Sequence, residues 1–73
     1  MVINESVVQE KLQDKQIVSR VDGKYNTCYV VGKSAENFYT LYRFEALVGT
    51  HCIVELENAN ADAMINHLLK VSQ

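Results

Sequence analysis

Apolar positions along the chain switch between a helical and a strand period, and each switch marks an element. Near the N-terminus Val7, Val8 and Leu12 fall on one side of a helix. Asn4 is a suitable N-cap, with Ile3 before it and Val8 after it placed as a hydrophobic staple, while Ser6 with Gln9 offers a competing capping box. Lys11 and Lys15 follow near the end, where they complement the helix dipole.

Gln16–Val21 then takes β character, and Asp22-Gly23 is a strong hairpin signal leading into a second strand over Lys24–Val31. That strand is dense in β formers: Tyr25, Thr27, Tyr29, Val30 and Val31. The run from Gly32 to Asn37 reads as the next turn. Phe38–Glu45 fits a strand because aromatic residues alternate through it. A helix capped by Ser34 and stopped by Gly49 is the competing reading. Ala46-Leu47-Val48-Gly49 reads as a connection.

Thr50–Glu57 alternates strictly, which predicts a strand with Cys52, Val54 and Leu56 on one face and His51, Ile53, Glu55 and Glu57 on the other. The asparagines at Asn58 and Asn60 end it. Asn60 can cap a last helix whose apolar stripe is Ala61, Met64, Ile65, Leu68 and Leu69. The order is αββββα over one domain, residues 1–73. Short links favour a small antiparallel meander of three to four strands, an α+β fold with both terminal helices packed on one face of the sheet.

Composition narrows the function classes. The chain has 73 residues, 48% hydrophobic and 22% charged, enough apolar material for one core and none for a second domain. A domain of this size buries only about 60% of its unfolded surface, so self-association is an expected source of stability. The net charge of −2 disfavours a general nucleic-acid binder, which needs a basic excess. The N-terminus carries no apolar run of the signal-peptide kind, and no stretch is long enough to span a bilayer. A reducing, cytoplasmic setting is expected, with both cysteines as free thiols.

The candidate chemistry is thin. Cys28, His51, Cys52 and His67 have the count for a zinc site but lack its spacing, so no metal or cofactor is expected. Both cysteines fall mid-strand, where a thiol is inert, and nothing in the sequence supplies an oxyanion-type turn; an enzyme is not expected. Glu55 and Glu57 read as a solvated pair guarding an edge strand.

The tyrosines carry the main hypothesis. If Cys28 and Val30 point into the core, Tyr25, Tyr29 and Val31 point the other way. There they join Tyr39, Leu41, Arg43, His51 and Ile53, with Val18 and Arg20 from the first strand. An uncovered sheet face of this composition resembles a protein–protein interface core. The expected function is a non-enzymatic interaction module that binds a protein partner or itself through Arg20, Tyr25, Tyr29, Tyr39 and Arg43. Small stand-alone domains of this kind serve, by association, as regulators, inhibitors or adaptors, for example in phage or bacterial accessory loci.

Two alternatives remain. One is a homo-oligomer that receives an anionic ligand such as a nucleotide on Arg20, Lys33, Arg43 and His51. The other is a single-stranded nucleic-acid module that stacks bases on the tyrosines. The apolar Ala46-Leu47-Val48 connection is a second candidate contact loop.

Overall fold

Six elements follow one another: α1 (Glu5–Lys11), β1 (Gln16–Asp22), β2 (Thr27–Ala35), β3 (Phe38–Leu47), β4 (Gly49–Ala59) and α2 (Ala61–Val71). They come from a computed structural model, which describes residues 3, 5–13, 15–23, 26–47 and 49–71. The strands form one antiparallel sheet in the order β1-β2-β3-β4, so the αββββα meander is as the sequence indicates. Phe38–Leu47 is a strand, not a helix.

The helix ends obey the local signals. Ile3 and Val8 are buried in one cluster, as a staple requires. Asn4 lies outside the described residues. At α2, Asn60 Oδ1 accepts a hydrogen bond from the Ala63 amide at 2.9 Å, and Asp62 occupies the first turn.

The placement of the helices differs from the expectation. α1 packs through Ile3, Val8 and Leu12 on Cys28, Val30, Tyr42, Phe44 and Ala46. α2 packs through Met64 and Leu68 on Val31 and Leu41, with Tyr29, Tyr39 and Leu56 at the margin. Val30 and Val31 are neighbours on one strand, as are Leu41 and Tyr42, so each pair points to opposite faces. The helices therefore cover opposite faces, not one. The reason lies in the central strands: Cys28-Tyr29-Val30-Val31 and Leu41-Tyr42 are apolar on both sides, and a strand of that kind must be covered twice.

Bulges re-aim several side chains. Leu41 pairs with Leu56 and Tyr42 with Val54, which leaves Glu55 unmatched on β4. Strict alternation breaks there: Leu56 joins the α2 face instead of the face of Cys52 and Val54. A further irregularity lies between Ile17 and Ser19 at Val18, and another between Lys33 and Ala35. Asn26, Asn37 and Asn58 adopt φ of 60°, 68° and 54°, a conformation that asparagine tolerates better than other side chains.

The connections also differ. β2 continues through Ala35, so the turn shrinks to Glu36 and Asn37. Ala46 belongs to β3 and is buried against the α1 cluster, so the proposed contact loop is strand; Val48 lies outside the described residues. β1 and β2 part at Asp22 and Cys28, and the Gly23 amide donates to the Thr27 carbonyl at 2.8 Å, a longer loop than a two-residue hairpin. A Cβ on Gly23 would lie 2.9 Å from Tyr29 Cε2, so a larger residue there has to push the ring aside. Phe38 is exposed at the start of β3.

Candidate functional site

The register fixes which predicted residues can meet. Tyr29 pairs with Arg43, Arg43 with Ile53, Lys33 with Tyr39 and Glu45 with His51, so these all belong to the α2 face. Arg20 pairs with Val30 and lies on the α1 face, away from the tyrosines it was expected to join. Tyr25 lies outside the described residues. Of the residues expected on that face, Tyr29, Tyr39 and Arg43 share one side of the sheet. It is not open, because α2 lies across β3 and β4.

Each arginine is engaged within the fold. The Arg20 guanidinium donates to the Ile3 carbonyl and pairs with Asp22 at 3.3 Å, tying the segment before α1 to β1. Arg43 pairs with Glu45, and its Nε lies 3.1 Å from Glu55 Oε1. That second contact is an ion pair without hydrogen-bond alignment, so the buried Nε has no hydrogen-bond acceptor. The other oxygen of Glu55 meets His67 Nε2 at 3.1 Å. The bulge at Glu55 thus turns an expected edge guard into a bridge between sheet and α2. Its partner in the expected pair, Glu57, lines an open hollow on the α1 face with Tyr42 and Val54.

The anion-site alternative does not assemble. Arg20 is on one face, and Lys33, Arg43 and His51 are on the other. Lys33 stands four residues along β2 from Tyr29, the residue level with Arg43, which is about 13 Å at strand rise.

Thiol chemistry is likewise divided by the sheet. Cys28 and Cys52 belong to the α1 face, and His51 and His67 to the α2 face. No cysteine can reach an imidazole across the strands, which removes both a cysteine–histidine pair and a Cys₂His₂ site. Burial raises both thiol pKa values above the ordinary range; for Cys28 the Arg20 guanidinium opposes this and Asp22 reinforces it. Both cysteines are free, and no group of three metal-ligating side chains occurs among the described residues.

What the sequence reading missed is a groove. α2 leaves β1 uncovered on its face, and an open hollow of about 220 Å³ lies between the helix and β1. Val18, Val31, Tyr39, Met64, Ile65 and Leu68 line it, almost without polar surface. Val18, Ile65 and Leu69 are 53%, 54% and 59% exposed, although the helix stripe was expected to bury Ile65 and Leu69. The clue in the sequence is the width of that stripe: Ala61, Met64, Ile65, Leu68 and Leu69 cover more of the helix than one flat sheet can bury.

No helix among the described residues is long and apolar enough to cross a membrane. Comparison with protein-family models, with curated proteins and with solved structures returns no match.

Proposed function

We infer that the protein is a non-enzymatic interaction module whose partner is another protein, docked in the groove between α2 and β1. The observation that carries this reading is the apolar lining together with the exposure of Val18 and Ile65 within it. An open apolar groove of this kind takes aliphatic or aromatic side chains from a partner helix or strand. Covering the exposed halves of Val18 and Ile65 contributes about 2 kcal/mol before the costs of association. Tyr39 adds a rigid wall.

Tyr39 remains part of this site as its wall, and Tyr29 packs beside it against the cluster of Val31, Leu41 and Met64. The nucleic-acid reading loses support because both rings are half-buried beside the helix. The anionic-ligand reading loses support because its four residues do not converge and both arginines are paired internally.

The test is affinity capture from native lysate, read by mass spectrometry. Wild type recovers a protein that Ile65→Glu and Val18→Lys fail to recover, each variant keeping its far-UV circular dichroism. Equal recovery by Ile65→Glu and wild type would refute the groove.

A further inference from the structure

The two edges of the sheet are unequally guarded. β1 carries Arg20 and Asp22 and is broken by the irregularity at Val18, all devices that discourage strand addition. β4 is the other outer strand, and its first half has no such device. Gly49–Val54 contains no Lys, Arg, Asp or Glu, and it pairs with β3 without interruption until the bulge at Glu55. Beside this edge Ile53 and Val54 are 37% and 52% exposed, one on each face.

We propose that the β4 edge pairs antiparallel with β4 of a second copy, joining two sheets into one of eight strands. The uncharged, uninterrupted run Gly49–Val54 is its own complement, which favours a copy of the same chain over another occupant. Antiparallel pairing of identical strands is isologous, so one short run supplies both sides. The register follows from geometry. Directly opposed residues must share a face, so the two-fold axis passes through a residue and not between two. Centring on Ile53 runs into the bulge after one step, and centring on His51 uses Gly49, whose φ of 78° is not a strand conformation. Centring on Cys52 pairs the whole run Thr50–Val54, placing Thr50 opposite Val54 and His51 opposite Ile53.

The two-fold axis stands perpendicular to the sheet. Both α2 helices, with their grooves, therefore lie on one side of the joined sheet and both α1 helices on the other. The dimer presents two grooves in the same direction, although the pairing itself does not depend on what the grooves bind.

Analytical ultracentrifugation of the full chain tests the pairing. Wild type shows a monomer–dimer equilibrium, and Val54→Lys or Thr50→Glu alone weakens it at least tenfold. The double variant Thr50→Glu, Val54→Lys recovers dimerisation, because in this register each introduced carboxylate faces an introduced ammonium. Val18→Lys, on the opposite edge, leaves the equilibrium unchanged. A wild-type chain that stays monomeric at several hundred micromolar overturns the proposal. So does a dimer insensitive to Val54→Lys, a double variant as weak as the single ones, or a dimer lost in Val18→Lys.

Discussion

Whether the helices share a face can be settled by energetic coupling. Leu41 is fully buried and lies in one cluster with Met64 of α2, and Phe44 is fully buried in the cluster of α1. Met64→Ala removes a side chain that is 3% exposed and costs about 2–3 kcal/mol through lost burial and the cavity left behind. Leu41→Val removes one methylene and costs about 1 kcal/mol. A domain of this length has a total stability of about 4–11 kcal/mol, so a double variant that loses about 3–4 kcal/mol stays folded enough to measure above the lowest part of that range. Because the two side chains share one cavity, their effects depart from additivity by about 0.5 kcal/mol or more. Phe44→Leu combined with Met64→Ala is additive within that margin, since the sheet separates the two sites. Urea unfolding followed by circular dichroism gives all the values, and about 1 kcal/mol moves the thermal midpoint by roughly 4–8 °C. Coupling between Phe44 and Met64, with additivity between Leu41 and Met64, would put α2 on the α1 face and refute the architecture described above.

Two further outcomes follow from local structure. Asn60→Ala removes the acceptor for the Ala63 amide and lowers stability by about 1 kcal/mol, whereas Asn60→Asp keeps the cap; thermal melts distinguish them. Burial raises the Cys28 and Cys52 thiol pKa values, so the folded thiols hold their protons longer than the unfolded ones and unfolding releases protons at alkaline pH. This contribution to stability is fully present below the unfolded thiol value of about 8.5 and is lost as the pH rises through the folded one. Urea melts between pH 7 and 9.5 will show a decline that the Cys28→Ala, Cys52→Ala variant lacks; equal pH slopes for the two chains would contradict it.

The element order was legible because it depends on local chemistry. Val7, Val8 and Leu12 recur at a helical spacing, β-branched and aromatic residues fill Gln16–Val21 and Phe38–Glu45, and Asn60 can cap whatever helix follows it. The division of the central strands into two faces was also legible, since Val30 and Val31 must point apart wherever the strand goes.

Tertiary structure decided what covers each face. Nothing local to α2 says which side of the sheet it will take; that choice comes from the demand of Val31 and Leu41 for cover, set against α1 already occupying Val30 and Phe44. The bulge at Glu55 is likewise invisible to alternation, because an unmatched residue exists only in relation to the facing strand. Its consequences are large for so small a change: Leu56 moves under α2, and the Glu55 carboxylate joins Arg43 to His67. The sequence by itself determined the elements and the two-sided apolar character of β2 and β3. Only the packing of helix on sheet turned the tyrosine face from an open platform into a groove, because α2 is too narrow to cover all four strands.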